Sequence, residues 1–533
     1  MLTSGLVLAL AVACVAAARA HRLLHILQQE HYENARLRVW LRRDVKRYEL
    51  ASGVAALGAG AAVQAAGEVG NAVATVPAAI AVIVAAGYLR ATWRRPQVKA
   101  LVFTARAKRI YGVSIAAPAA VALVLAAAVP AAAPAAEGLL AAVVIWGGGW
   151  LVGGANAALQ PYQRLENRRY VAAARSRLER VAPVVVGVSG SFGKTTTKAC
   201  VAAAVEPLGP ALPTPASFNS YLGVVRAINE GLEPDHQTFV AELGAYRIGD
   251  IAELCALVKP TIGVLVSLGP AHLERFGSMD AIEQAEGEVA DALPADGLFV
   301  TSADDERCVR VADTRARCAC LLFSVAGHPR ADLWADDIEV SAGGTSFTLR
   351  RRGTEASVRF RTRLLGEHNV ANVLAAVAVA GHLGLADQII ARTMRRVVPP
   401  KHRLEPIVNE AAGVIVIDDS YNANPVGAAA ALDVLAAHAA GRRILVTPGM
   451  VELGSRAAEE NRLLGVKAAA VCDLCVLSGP LAPDIESGLR DAGFPSAQIH
   501  VVSDGPAAHA VVAQLSRRGD VFLFENDLPD VYG

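Results

Sequence analysis

The chain lacks a cysteine framework. Its 533 residues include eight cysteines, spaced for neither a metal nor a disulfide scaffold. Cys472-Asp-Leu-Cys475 is a lone CxxC inside an apolar run, and Cys318 and Cys320 form a lone CxC. A zinc ribbon needs two well-spaced pairs, so reduced, mostly buried thiols in a cytosolic domain are expected. The chain also lacks an excess of either charge, its formal total being +1. No nucleic-acid partner is expected. The opening residues Met-Leu-Thr-Ser-Gly contain no Lys or Arg. A secretory signal is basic there, which argues against cleavage after Ala18-Arg19-Ala20.

What the chain has in excess is apolar sequence. A mean hydropathy of +0.36 is high for a soluble protein and points to membrane segments. Residues 1–160 are dominated by Ala, Val, Leu and Gly, and five stretches are candidate spans: Leu2–Ala18, Leu50–Ala66, Ala72–Leu89, Gly112–Ala132 and Gly138–Ala157. Each is near the ~20 apolar residues a bilayer requires, the first two being short. The second, Gly-rich and containing Gln64, leaves the count open. Arg19 to Arg47 make the first intervening loop basic, and Arg90 to Arg109 the third. The turns around Glu68 and Glu137 have no Lys or Arg. Basic loops stay in the cytoplasm. The expected protein is therefore a multi-pass protein of the cytoplasmic membrane, with the bilayer as a partner. Its N-terminus is outside and its C-terminal portion faces the cytosol. Buried soluble helices are the alternative, which the charge asymmetry disfavours. Gly149-Trp-Leu-Val-Gly153 is a GxxxG suited to close helix packing.

The most informative stretch is Gly187-Val-Ser-Gly190-Ser191-Phe-Gly193-Lys194-Thr195-Thr196-Thr197. An apolar strand-like run precedes it and a helix-like run follows. The general G-x-x-x-x-G-K spacing is not met, because the residue five before Gly193 is Val188. The context still fits a polyphosphate cradle. Glycines let backbone N–H groups approach oxygens, Lys194 adds a point charge, and the Thr195 hydroxyl can hold magnesium. ATP and Mg2+ are the expected cofactors.

Beyond an amphipathic linker, residues 161–180, strand-like and helix-like runs alternate, which predicts an α/β fold with a mainly parallel sheet. Ligands gather at the carboxyl ends of such strands. Strand 238–241 runs into Glu242, strand 261–266 leads to His272, and strand 413–417 ends in Asp418 and Asp419. Glu242 and His272 beside the phosphate loop can complete a magnesium site with Thr195.

Seven motifs occur in order: GSFGKTT, ELGA, AHLERFGS, GEHNVAN, HRLEP, DDSYNANP and GMVELG. Over residues 183–475 the chain resembles the Mur ligases, in particular the branch that adds D-alanyl-D-alanine to a muramoyl tripeptide. The resemblance implies a P-loop central domain over 181–399 and a Rossmann-like C-terminal domain over 400–533, following a transmembrane helical region over 1–160. It also implies a reaction. ATP phosphorylates a peptide carboxylate, and an amine attacks the acyl phosphate. Carried over, Gly190, Ser191, Gly193, Lys194, Thr195 and Thr196 would cradle the nucleotide. Thr195, Glu242 and His272 would hold magnesium, and Asn219 would lie near the phosphates. Asn369 and Asn372 would lie at the adenine, Arg403 at the γ-phosphate and Asp419 at the ribose. Lys194, His272, Arg403 and Glu286 are the catalytic candidates.

The chain departs from that pattern. Glu286 stands where the family has a carbamylated lysine serving a second magnesium, so it is expected to supply that negative charge without carbon dioxide. A solvated acidic face of Glu283, Glu286 and Glu288 is the alternative. Pro448-Gly449 replaces Gly-Asp. Glu525-Asn-Asp-Leu-Pro529 replaces a basic Lys-Gly-Ser-Arg. The uridine-binding domain expected over residues 1–180 is missing. A small or lipid-linked wall peptide plus an amine is the expected substrate pair. A membrane-bound poly-amino-acid capsule ligase and a non-catalytic nucleotide-binding scaffold remain as alternatives.

Overall fold

The computed structural model describes residues 2–30, 32–43, 101–128, 133–438 and 441–526, and isolated positions between 54 and 87. It divides into two compact units, Met1–Asn167 with Pro529–Gly533, and Arg168–Leu528.

The first unit is helical. Its helices are Leu2–Gln29, Asn34–Arg43, Ala105–Ala128 and the start of Ala133–Val181. The first expected span lies inside the first helix, and the fifth inside the last. The fourth lies in Ala105–Ala128, with its final residues outside the described ones. Most of the second expected span and all but one residue of the third fall outside the described residues. Among the described residues, Ala105–Leu125 and Leu139–Val181 are long and apolar enough to cross a bilayer. The GxxxG is spent within the chain. A Cβ on Gly149 would lie 2.2 Å from the Leu41 side chain, and Gly153 faces Asn34. Asn34 Nδ2 donates to the Gly153 carbonyl at 2.9 Å. The expected linker is helical throughout. It continues the fifth span without a break and contains Pro161.

The second unit holds two sheets. The larger runs β2-β3-β1-β4-β5-β6-β7-β8-β9. Its strands are β1 (Val184–Ser189), β2 (Ala211–Pro213), β3 (Thr238–Glu242), β4 (Ile262–Leu265), β5 (Leu298–Ser302), β6 (Ala319–Ser324), β7 (Leu333–Ser341), β8 (Gly344–Arg351) and β9 (Val358–Thr362). It is parallel from β2 to β7, as the alternation predicts. The last two pairings are antiparallel, a hairpin extension that the alternation does not announce. The central strands are apolar on both faces because both are covered. One face takes helices Lys194–Val205 and His368–His382, packing Val201 and Ala204 with Val373 and Val377. The other takes Val224, Ile228 and Leu254 against Phe239 and Phe299, and Ala174 and Leu178 of the long helix join it.

The smaller sheet runs β10-β11-β15-β12-β13-β14. Its strands are β10 (Glu405–Asn409), β11 (Val414–Asp419), β12 (Arg443–Thr447), β13 (Leu474–Ser478), β14 (Ile499–Val502) and β15 (Val521–Glu525). All pairs are parallel except β10 with β11. All eight cysteines are free, and five are buried. Burial pushes the Cys200 thiol up to about 12, which makes it inert at neutral pH.

Candidate active site

The phosphate loop joins β1 to the helix Lys194–Val205. Gly190 has φ 133° and Gly193 φ 79°, a region that side chains avoid. Space forbids a side chain as well. A Cβ at Gly190 would meet Ser267 backbone atoms at 3.0 Å, and one at Gly193 would meet Asn372 Oδ1 at 2.5 Å. Ser191 pins the loop to the strand β4 exit. Its N–H donates to the Ser267 carbonyl at 2.8 Å, and its Oγ bonds both Gly269 backbone groups at 3.0 Å. Lys194 folds back, with Nζ donating to the Gly190 carbonyl and no carboxylate partner among the described residues. It is thus a cation held over a cradle of backbone amides. Thr195 and Thr196 open the helix directly behind it.

The carboxylates around the loop each have a protein partner. Glu242, at the carboxyl end of β3, is 2% exposed. Its oxygens accept from Lys198 Nζ at 2.8 Å and from Asn219 Nδ2 at 3.1 Å. Glu286 is 4% exposed, and its Oε2 accepts from Ser189 Oγ at 2.5 Å and from the Gly190 amide at 2.8 Å. It therefore braces the first turn of the phosphate loop. The solvated acidic face does not form. Glu283 pairs with Arg307 and Arg310, whose hydrogen bonds, Arg310's first, hold its carboxyl below the usual range. Glu288 is buried and accepts from the amides of Gly249 and Ala252, capping the helix Asp250–Val258.

His272 has φ 53° and pairs through Nδ1 with Glu452 of the C-terminal portion. The Tyr246 ring meets its edge with centroids 5.1 Å apart. Arg275 reaches Glu452 at 3.5 Å and lies over the Tyr246 ring at 4.5 Å. A second contact between the two sheets' domains is Tyr421 Oη donating to Ser217 Oγ, next to the Asn219 loop. Arg403 stacks over the Tyr421 ring at 4.2 Å. Asp419 accepts the Leu404 amide at 3.2 Å, and burial raises its carboxyl to about 6 against the opposing charge of Arg403. Asn372 and Asn369 are buried and form a relay. Thr197 Oγ1 donates to Asn372 Oδ1 at 2.8 Å. Asn372 Nδ2 donates to Asn369 Oδ1 at 2.7 Å, and Asn369 Nδ2 donates to the Leu365 carbonyl at 2.7 Å.

The loop, Glu242, Asn219, Glu286, Asn372 and Lys194 are thus gathered at the carboxyl edge of β1, β3 and β4. Glu242, His272 and Glu286 do not share one cluster of ligand atoms. Among the described residues, only His402, Glu405 and Asp418 place three such atoms within 4.8 Å of one another. The donors near the loop are nonetheless suited to magnesium, being a hydroxyl and two carboxylates with one imidazole. Sequence reasoning missed Lys198 and the Glu452 contact to His272. Lys198 had a signal, since it sits one helical turn after Lys194 and so shares its face. Glu452 had none, because its partner is 180 residues away.

With this geometry in place, comparison with known proteins is informative. The Mur ligase middle domain model matches residues 188–380, and the Mur ligase, glutamate ligase domain model matches residues 402–525. A UDP-N-acetylmuramoyl-tripeptide–D-alanyl-D-alanine ligase of Mycobacterium tuberculosis is 33% identical over 368 residues, covering 64% of this chain and 69% of the relative. That of Escherichia coli is 34% identical over 286 residues, covering 54% and 62%. The crystal structure of MurF from Acinetobacter baumannii matches with a TM-score of 0.59 at 28% identity, covering 67% of this chain and 76% of that one. MurF ligase from Thermotoga maritima in complex with ADP matches with 0.59 at 26% identity, covering 68% and 80%.

Proposed function

The chain belongs to the Mur ligase family, and from that premise we propose that it joins D-alanyl-D-alanine to a muramoyl peptide in an ATP-dependent reaction. The supporting observation is the phosphate loop, a cradle of amides closed by Lys194 without a carboxylate partner. A carboxylate oxygen of the peptide attacks the γ-phosphorus and ADP leaves. The amine nitrogen then attacks the acyl carbon, losing a proton as phosphate departs. Loop amides and Lys194 neutralise charge on the transferring group, and Arg403 approaches it from the C-terminal domain. Thr195, Glu242 and His272 would hold a magnesium ion, which when bound would offset phosphate charge. The Tyr421–Ser217 and Glu452–His272 contacts keep the two domains together, which excludes water from the acyl phosphate.

Glu286, in this reading, carries a permanent negative charge behind the loop and removes any need for carbon dioxide. The helical region supports a membrane setting, with the catalytic unit on the cytosolic side. Its apolar helix Ala105–Leu125 leaves Val121 and Val124 exposed, and Trp150 of the long helix is 75% exposed. A bilayer would cover these side chains. The acceptor peptide can then be lipid-linked. Purified protein should release ADP only when a muramoyl peptide and D-alanyl-D-alanine are both present. Release driven by glutamate polymers instead, or release independent of the amine, would overturn the reading.

A further inference from the structure

The GMVELG motif, residues 449–454, belongs to the C-terminal domain and sends one side chain, Glu452, to His272 of the central domain. Glu452 has φ 64° and His272 φ 53°. Side chains rarely adopt this left-handed region, and it persists only where the surroundings over-determine it. Here one such residue from each domain meets the other. The Glu452 loop is fixed from within its own domain. Asn461, fully buried, accepts from the Met450 amide at 2.8 Å and donates to the Met450 carbonyl at 3.0 Å. The backbones add a tie, since the Glu274 amide donates to the Glu452 carbonyl at 3.2 Å. The Tyr246 ring packs against the imidazole at 5.1 Å, and Arg275 brings a positive charge to within 3.5 Å of the Glu452 carboxylate.

A carboxylate only accepts hydrogen bonds. The Glu452 bond therefore places the ring hydrogen on Nδ1 of a neutral His272 and leaves a lone pair on Nε2. Nε2 has no hydrogen-bond partner among the described residues, and the side chain is 27% exposed. Metal-binding imidazoles are set in this way, with one nitrogen bonded to a carboxylate and the other left for the ion. We propose that Glu452 is a positioning residue for the magnesium ligand His272, fixing the tautomer and ring orientation in which Nε2 takes the metal. The proposal rests on the ligase reading above. Because Glu452 comes from the C-terminal domain, the ligand is set only while the two domains touch. Metal affinity and domain contact are then coupled, each favouring the other.

The test uses manganese as the probe, on the full chain with a non-hydrolysable ATP analogue, read by electron paramagnetic resonance. Wild-type protein should show nitrogen coupling from an imidazole, and His272→Ala should lose it. Glu452→Ala should lose that coupling and bind manganese about tenfold more weakly. Glu452→Gln keeps an acceptor for Nδ1 and should restore the coupling. A residue that merely tied the domains together would leave the nitrogen signal unmoved. Affinity for metal-free ADP should be equal in all four proteins, which shows that the variants fold. Wild-type coupling and affinity in Glu452→Ala overturn the proposal. Tighter manganese binding by Glu452→Ala also overturns it, since Glu452 would then compete with the metal for the ring. So does wild-type protein without imidazole coupling. Failure of the ligase reading is read separately, as wild-type protein that shows the coupling yet releases no ADP from ATP when both substrates are present.

Discussion

The two sheets of the catalytic unit end in carboxylates of opposite condition. At the end of β3, Glu242 is buried but held by Lys198 and Asn219, and behind the loop Glu286 is held by Ser189 and an amide. At the ends of β11 and β15, Asp419 has one backbone donor and Glu525 has none. In the first arrangement each acid is matched by a donor, so its charge is compensated in place. In the second the two acids face each other, and burial raises both carboxyls. Burial alone does not set the condition of an acid. Its partners do.

The comparison can be broken at four points. Lys194→Ala removes the cation over the cradle. Turnover should fall at least ~100-fold, about 3 kcal/mol of transition-state stabilisation, with unchanged thermal stability. Unchanged turnover would end the phosphate-loop assignment. Lys198→Met strands Glu242 as a buried charge. Thermal or denaturant unfolding should show a loss of about 3–5 kcal/mol, and Lys198→Met with Glu242→Gln should recover part of it. If the double variant recovers nothing, the pair is not coupled.

Glu286→Ala frees the first turn of the phosphate loop. The KM for ATP should rise about tenfold, and wild-type turnover should be the same in carbon dioxide-free buffer as with bicarbonate. Stimulation by bicarbonate would mean that Glu286 does not replace a carbamate. The smallest effect concerns pH. Asp419 titrates near 6 when folded and near 3.8 when ordinary, because burial disfavours its charge. Between those values the folded chain holds the proton that the unfolded chain has released. Stability therefore falls as pH rises from about 4 to 6 and levels off above. Glu525→Gln removes a buried acid that only the unfolded chain can ionise freely, so its Tm should exceed wild type by a few degrees at pH 7 and match it at pH 4. A uniform difference at both pH values would show that the acid pair is not the cause.

Much of the catalytic unit was legible because it is local. The strand–glycine–helix pattern around Gly190 and Gly193 needs no distant partner to be read. The same holds for the apolar runs that became β3, β4 and β11, each found within a residue or two. Glu242 and Asp419 were legible as strand ends. What each acid touches was not. Glu283, Glu286 and Glu288 lie on one short stretch, yet one pairs with arginines, one braces the loop and one caps a helix. Asn369 and Asn372 are expected at the adenine from the resemblance alone, and their relay to Thr197 was not legible. The hairpin extension β7 to β9 went unread, although β7 alternates buried and more exposed residues over nine positions where β3, β4 and β5 are buried throughout.

By itself the sequence determined the phosphate loop, the strands that lead to its acids and the division between an apolar N-terminal region and an α/β remainder. Those features depend on spacing, glycine geometry and hydropathy within a few residues. Only the tertiary structure decided which carboxylates are neutralised and which are left short of donors. That choice depends on partners brought together from 44 residues away for Lys198 and Glu242, or 180 for His272 and Glu452. No local rule reaches so far, because charge and burial are settled by whichever side chains the sheets bring to the same edge.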